Sequence, residues 1–187
     1  MDNNKLIKAA EAVIFSSGEP ISFSRLAEIF ELSPKNTSKL VDDVKNHLDS
    51  ADLGFSLLRL GDSVQIATKK EYAEYVKTAL DIKRRAPLSP AAFEVLAVIA
   101  YNQPVTKAFI EQVRGVDCSG VVSTLVEKDL IEERGRLELP GRPLLYVTTK
   151  NFLRCFSLES LDDLPPLPDN SLNKEDVAEQ LELRPDL

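Results

Sequence analysis

The sequence predicts a mainly α protein with small β-hairpins, an α+β fold class, in which one helical unit follows another. Three observations support this prediction. Apolar residues recur at helical spacing through three segments in each half of the chain. Two short β-prone segments follow each set of helices. The halves also repeat the same order of elements. Three helices packed over a hairpin form the winged-helix variant of helix-turn-helix, so we predict tandem winged-helix domains.

In the first half, three helices precede a hairpin. Ser22 is a predicted N-cap of the second helix, and Ser33-Pro34 is typical of the start of the third. Gly61-Asp62 favours a hairpin turn. The predicted strands and the helix after them cover residues 55–60, 64–68 and 71–80. The predicted apolar faces of the three helices are Leu6, Ala10, Val13 and Ile14; Leu26, Ile29 and Phe30; and Leu40, Val44 and Leu48.

The second half repeats this order and ends with a closing helix. Ser89-Pro90 favours a helix start, Thr106 is a predicted cap of the next helix, and Asp117 of the third. Residues 131–138 and 144–148 are predicted strands around a Pro140–Pro143 wing turn. The predicted inward residues are Phe93, Leu96, Ala97 and Ala100; Phe109, Ile110 and Val113; Val122, Leu125 and Val126; and Phe152, Leu153 and Phe156.

The two halves also share residues. Ala12-Val13-Ile14 matches Ala97-Val98-Ile99 at an offset of 85, and Pro20-Ile21-Ser22 matches Pro104-Val105-Thr106 at an offset of 84. A drift of one residue across a loop is typical of a duplicated unit. The predicted parts are an N-terminal domain over 1–80, a linker over 81–88, a C-terminal domain over 89–157, and an acidic, proline-containing tail over 158–187 that we expect to be extended or disordered.

Composition narrows the function classes. The sequence contains no run of about 18 apolar residues, which a membrane-spanning helix would need. The N-terminal residues lack the basic start and apolar core of a secretory signal peptide. The net charge is −7, contributed as −2 by residues 1–80, 0 by 81–149 and −5 by 150–187. Neither predicted domain has the basic excess that nucleic-acid binding requires. Because a membrane span and a signal peptide are missing from the pattern and two cysteines are too few for a disulfide framework, we expect a cytoplasmic protein with reduced cysteines.

No residue pattern indicates catalysis, a cofactor or a metal. His47 is the one histidine, and Cys118 and Cys155 stand apart from each other and from it. The carboxylate pairs, such as Asp42-Asp43, are typical of solvated surface. We predict no catalytic, cofactor-binding or metal-binding residues, and a hydrolase or nuclease is a distant third hypothesis.

DNA binding is the sharper alternative, because the third helix of a winged-helix domain often enters the major groove. In the first domain this helix carries Lys35 and Lys39 near its start, but also Asp42, Asp43 and Asp49. In the second domain it has no Arg or Lys before Lys128. The wing alternates Arg134, Arg136 and Arg142 with glutamates. A winged-helix transcription regulator therefore stays the alternative to a protein-binding module.

Aromatic residues are the candidate anchors of a protein interface. The pattern favours a core position for Phe93. Tyr101 and Tyr146 are balanced between the edge of the core and a contact surface.

Several motifs in order resemble one family, that of segregation and condensation protein B. In the second half these are IAYNQPVT, RGVD, PGRPLLY and the closing LDDLPPL, and in the first half EAVIFSSGEPIS. The resemblance covers about residues 5–168. Val147-Thr148 departs from it, since a smaller residue than valine is expected there.

The resemblance implies a non-catalytic subunit of the prokaryotic condensin-like SMC–kleisin complex, which acts in chromosome condensation and partition during cell division. It implies a homodimer formed mainly by the N-terminal domains and a C-terminal domain that holds the kleisin ScpA, with the SMC ATPase reached through the kleisin. It also implies nucleoid association, at most weak or indirect contact with DNA, and no small-molecule substrate. Tyr101, Arg142, Leu144 and Tyr146 are the candidate kleisin contacts.

Overall fold

A computed structural model of the protein describes residues 3–80 and 87–167. The chain packs as two units. The first takes in the described residues of Met1–Ser89 together with Thr149–Leu161, and the second takes Pro90–Thr148 and the described residues from Asp162 onward. Most of the predicted linker and the predicted tail after Leu167 lie outside the described residues.

The first unit consists of helices around a three-stranded antiparallel sheet. A short 3₁₀ turn, Lys70–Tyr72, precedes its fourth helix. Its elements are α1 (Asn3–Ser17), β1 (Ile21–Ser22), α2 (Phe23–Phe30), α3 (Pro34–Ser50), β2 (Phe55–Leu60), β3 (Ser63–Thr68), α4 (Ala73–Ala79) and α8 (Lys150–Phe156).

The second unit has the same order of elements, without a counterpart of α4 among its described residues. A second 3₁₀ turn, Leu161–Asp163, lies after α8 in the chain. The elements of the second unit are α5 (Pro90–Asn102), β4 (Val105–Thr106), α6 (Lys107–Arg114), α7 (Ser119–Glu127), β5 (Ile131–Arg136) and β6 (Leu144–Thr148).

The two sheets have one topology, which confirms the tandem winged-helix fold. The strand order is β1-β3-β2 in the first unit and β4-β6-β5 in the second, antiparallel throughout. The two-residue strands β1 and β4 were not predicted, although each lies within one of the repeated tripeptides, Pro20-Ile21-Ser22 and Pro104-Val105-Thr106. The repeat therefore marks a structural element and not only a helix cap.

Three of the predicted helix caps are confirmed. The side chains of Ser22, Ser33 and Thr106 each accept a hydrogen bond from the backbone N–H of the third residue of their helix, at 3.2–3.4 Å. The predicted cap at Asp117 is wrong. Cys118 occupies the N-cap position of α7 without a side-chain cap bond, and the Asp117 carboxylate accepts from the Ser119 hydroxyl at 2.7 Å.

The core of the first unit joins α1, α2 and α3 to the inner face of the sheet. Ile14, Leu26 and Val44 pack there with Leu57 and Val64, all of them nearly or fully buried. Arg59, at the margin of this face, places its guanidinium 5.3 Å from the centroid of the Phe23 ring.

Several predicted core residues lie at the surface. Phe93 is 48% exposed, because the buried stripe of α5 runs one residue out of register with the prediction and is formed by Ala92, Val95, Leu96, Ile99 and Ala100. This spacing of three and four residues is the ordinary helical period, and α5 is apolar on so much of its circumference that its sequence alone does not select the stripe. The same correction applies to Ile29, Ala97, Val113, Val126 and Phe156, which are exposed.

The closing helix α8 packs with the first unit, whereas the predicted C-terminal domain runs to residue 157. Its Phe152 and Leu153 are buried. The Lys150 amine lies 3.0 Å from the Asp62 carboxylate in the β2–β3 turn, and beyond the helix the Glu159 carbonyl accepts from the Gly61 N–H at 2.7 Å. No described helix is both long and apolar enough to cross a bilayer.

Candidate partner-binding surface

A groove in the second unit lies between the start of α6 and the wing. We call it the wing groove, and its volume is about 290 Å³. Most of its lining side chains are apolar, and Leu139 at its rim is 49% exposed. The lining residues are Asn102, Pro104, Val105, Thr106, Phe109, Leu137, Glu138, Leu139 and Leu145.

One wall of the wing groove is fixed by the end of α5. The Gln103 side chain accepts from the Thr148 backbone N–H at 2.6 Å and donates to the Thr148 hydroxyl at 3.0 Å. These bonds tie the loop after α5 to β6. The Gln103–Pro104 peptide bond is cis, and Pro104 leads directly into β4.

The other wall is the wing, which folds back through a tight turn. The Leu137 N–H donates to the Pro143 carbonyl at 2.9 Å, and the Arg142 N–H donates to the Leu139 carbonyl at 2.8 Å. Gly141 has φ 85°, a conformation in which glycine avoids steric strain. A register shift between Glu133 and Arg136 precedes this turn. The turn therefore carries Leu139 outward as an exposed apolar side chain.

The four predicted contact residues fall into different environments. Arg142 is exposed in the wing turn, where its guanidinium binds Glu138 of the groove lining at 2.8 Å. Leu144 begins β6 next to the lining residue Leu145 and is half-buried. The Tyr101 hydroxyl donates to the Pro165 carbonyl at 2.6 Å. Tyr146 is only 8% exposed, so of its two alternatives the structure places it at the core.

Sequence reasoning did not find Phe109, Leu137 and Leu139 as groove residues. Phe109 is a predicted core residue, and the predicted strand 131–138 includes Leu137 but stops before Leu139, whereas in the structure the strand ends at Arg136. A signal was present in Leu137-Glu138-Leu139-Pro140-Gly141, where two leucines directly precede a turn. Apolar residues beside a turn have no sheet to cover them and are candidates for contact.

Two partly buried ionisable groups of the second unit have shifted pKa values. Burial raises the pKa of the Tyr146 phenol, and the nearby Glu133 carboxylate raises it further. Burial also raises the pKa of the Cys118 thiol, with a further contribution from Glu111. A thiol whose pKa is raised is a poor nucleophile, so Cys118 is suited to packing.

The described residues contain no group of His, Cys, Asp and Glu side chains that could hold a metal ion. His47 pairs with Glu11 at 2.5 Å on the surface of the first unit. Cys118 is buried and Cys155 exposed, and neither forms a disulfide.

The third helices differ in charge. In α7 the exposed side chains include Ser123, Thr124 and Glu127. In α3, Lys35 and Lys39 are exposed near the N-terminus, followed by Asp42, which lies 3.4 Å from Arg59. A helix that reads DNA needs cationic side chains facing phosphates, and α7 presents none.

The fold and this groove define a tandem winged-helix protein with an apolar surface in its second domain. The family model described as "Segregation and condensation complex subunit ScpB" matches residues 8–167. The chain belongs to this family.

One relative is similar over nearly the whole chain, and two solved structures are similar over smaller shares of it. Segregation and condensation protein B of Ruminiclostridium cellulolyticum is 41% identical over 172 residues, covering 92% of this chain and 90% of the relative. The crystal structure of ScpB from Mycobacterium tuberculosis is 30% identical, covers 84% of this chain and 98% of that one, and has a TM-score of 0.41. A solved dimer of an ScpB N-terminal domain complexed with an ScpA peptide is 27% identical, covers 41% of this chain and 95% of that one, and has a TM-score of 0.39.

Proposed function

We propose that the protein is a non-catalytic subunit of a prokaryotic SMC–kleisin complex that acts in chromosome condensation and partition. It works as a homodimer, binds the kleisin ScpA, and reaches the SMC ATPase through that kleisin. The observation that carries this proposal is the match of the ScpB family model to residues 8–167, nearly all of the described chain. The protein acts in the cytoplasm and associates with the nucleoid through the SMC complex. Its own contact with DNA is weak or indirect.

The two domains have separate roles in this proposal. The N-terminal domain, residues 1–80, forms the homodimer, and the C-terminal domain, residues 89–157, holds the kleisin. The wing groove is the kleisin surface. Its apolar lining and exposed Leu139 suit the apolar face of a partner segment. Arg142 supplies a polar contact beside it, Leu144 supplies an apolar one, Tyr101 supplies a further contact at the end of α5, and Tyr146 supports the sheet from within the core.

A binding measurement with the purified full-length chain and its cognate ScpA tests this function. We expect the solution mass to correspond to a dimer alone and to rise on mixing, with micromolar or tighter affinity by calorimetry. Leu139→Asp places a charge in the apolar groove and should weaken binding by about tenfold or more, since a desolvated charge costs well over 1.4 kcal/mol. No association at micromolar concentration would refute the proposal.

A matched control is Val116→Asp, an equally exposed apolar residue of the second unit that does not line the wing groove. It should leave the affinity within about twofold of the unchanged protein, because exposed substitutions away from an interface change little.

The alternative of a DNA-binding regulator rests on exposed Lys35 and Lys39 in α3. Retention of duplex DNA in a low-salt gel shift, lost when both lysines are replaced by glutamate, would favour it. The proposed function predicts little or no retention.

A further inference from the structure

The outer edge of β2 exposes backbone groups without a strand beside them. Leu60 and Ser63 flank the two-residue turn, so even-numbered residues of β2 bond to β3. The bond from the Lys69 N–H to the Gly54 carbonyl, 2.9 Å, continues the same alternation. The backbone groups of Phe55, Leu57 and Arg59 therefore point away from β3, and no hydrogen bond of theirs to another described residue is present.

This edge forms the floor of a cleft of about 570 Å³ within the first unit. One wall is the C-terminal half of α3, with Lys45 and Asp49. The other wall comprises Leu153 and Arg154 of α8 and the residues that follow, 157–159. A volume of this size holds several residues of an extended chain.

One end of the edge is already paired in the manner of a strand. The Gly61 N–H, which continues the outward row, donates to the Glu159 carbonyl at 2.7 Å. The Lys45 amine also binds the Glu159 carboxylate, at 3.1 Å. The cleft is therefore closed at the turn and open toward Phe55.

Exposed strand edges normally carry bulges, prolines or rows of charged residues that prevent pairing, and β2 has neither a bulge nor a proline and only one charged residue, Arg59. Its register with β3 is regular over all six residues, and its sequence is Phe-Ser-Leu-Leu-Arg-Leu. The strand β5, the long edge strand of the second unit, has such features: exposed charged side chains from Glu132 onward and a register shift between Glu133 and Arg136. Of the two long edge strands, β2 and β5, β2 is the one suited to accept another chain.

The charges around the cleft favour an acidic occupant. Five cations line it, Lys45, Arg59, Lys69, Lys70 and Arg154, against the carboxylates of Asp49 and Glu159. Lys45, Arg59 and Lys69 each pair with a carboxylate. Lys70 and Arg154 instead donate to neutral oxygens, those of Ser157 and Asn151. These two cations gain most from an incoming carboxylate.

We propose that this cleft binds an extended, acidic segment of a partner protein, which adds to β2 as a further strand. Backbone bonds to Phe55, Leu57 and Arg59 give affinity, and carboxylates on alternate residues reach Lys70 and Arg154. A second copy of the chain fits less well, because pairing β2 with itself would bring two sets of cations together. The surface is separate from the wing groove, so the two proposals fail independently.

Amide hydrogen exchange of the full-length protein tests this assignment. The probe is an eight-residue, end-capped peptide of alternating valine and glutamate. In the free protein the amides of Leu57 and Arg59 should exchange faster than those of Ser56 and Leu58, which bond to β3. Saturating peptide should slow the outward amides by about tenfold or more, since one hydrogen bond of about 1.4 kcal/mol corresponds to a factor of ten. No slowing at millimolar peptide would overturn the proposal.

Charge variants separate acidic recognition from nonspecific binding. Lys70→Glu combined with Arg154→Glu should weaken the peptide about tenfold or more. Lys35→Glu combined with Lys39→Glu, the same charge change on α3, should have less than a twofold effect. If the first pair does not fold, Lys70→Gln with Arg154→Gln replaces it and should weaken binding about fivefold. Equal binding of a valine–lysine peptide would overturn the proposal. So would protection that rises with protein concentration without peptide, because it would identify a second copy as the occupant.

Discussion

The two β-hairpins of this molecule share a topology but differ in the regularity and the charge of their edge strands. The β2–β3 hairpin is regular, closes through Gly61 at φ 63° and Asp62, and has an apolar edge strand. The β5–β6 hairpin has a register shift between Glu133 and Arg136, ends in a long wing and has a charged edge strand. The two units therefore share the order of their helices and strands, while their wings form different surfaces.

Because of this difference, the two proposed surfaces bind their partners through different groups, apolar side chains in one and backbone hydrogen bonds in the other. In the second unit the contact surface is the apolar side of the wing, since the backbone edge is blocked by charge and by the register shift. In the first unit it is the backbone edge itself. The helices of the two units should nevertheless contribute similarly to the free energy of unfolding. Substitutions at positions that correspond in the two units test this expectation.

The largest expected effect concerns the matched core residues Leu26 and Ile110, which are 84 positions apart and fully buried. Leu26→Ala and Ile110→Ala should each lower the free energy of unfolding by about 2–5 kcal/mol, through lost burial and a residual cavity. Urea unfolding followed by circular dichroism gives the values.

Their exposed neighbours are the controls. Ile29 and Val113 are also 84 positions apart and are 40% and 44% exposed. Replacement of either by alanine should cost less than about 1 kcal/mol. A core cost below about 1 kcal/mol in one unit only would break the equivalence of the two frameworks.

A smaller effect concerns the matched caps Ser22 and Thr106. Each accepts from a backbone N–H at 3.2 Å, so Ser22→Ala and Thr106→Ala should each cost about 1 kcal/mol. Asp117→Ala removes a residue that does not occupy a cap position and should change the unfolding free energy by less than about 0.5 kcal/mol. A cost of 1 kcal/mol at Asp117 would show that it caps α7 in solution.

Local sequence signals predicted the framework well, because capping and turn chemistry act within a few residues. Ser22, Ser33 and Thr106 cap as expected, and β2 and β6 have the predicted bounds. The strands β1 and β4 were not predicted, because two residues are too few to show the alternation of apolar and polar side chains that identifies a strand. Phe93 was misplaced because α5 is apolar around much of its surface, and tertiary packing selects the buried side.

The candidate sites were harder to predict, since both depend on residues distant in sequence. The wing groove joins Pro104 and Phe109 to Leu139, and the β2 cleft joins Lys70 to Arg154. Of the predicted contacts, Arg142 and Leu144 lie beside the wing groove through their neighbours Glu138 and Leu145. Spacing along the chain cannot show which loops meet, nor that β2 keeps an open edge.

The smallest expected effect is the pH dependence of the ion pair at the β2–β3 turn. Asp62 in the first turn has a lowered pKa, mainly because the Lys150 amine binds its carboxylate at 3.0 Å and secondly because the Ser63 hydroxyl donates to it. A lowered pKa means that the pair stabilises the fold above the ordinary pKa of the carboxyl, and that this contribution is lost as the pH falls through the lowered value. Lys150→Met should therefore lower the unfolding free energy at pH 6 and have less effect below pH 3. Because Asp62 is largely exposed, the loss at pH 6 should be about 0.5 kcal/mol or less. Lys8→Met, an exposed lysine of α1, is the control and should show no such pH dependence. A Lys150→Met loss that is equal at both pH values would mean that the lysine acts through packing on the hairpin and not through its charge.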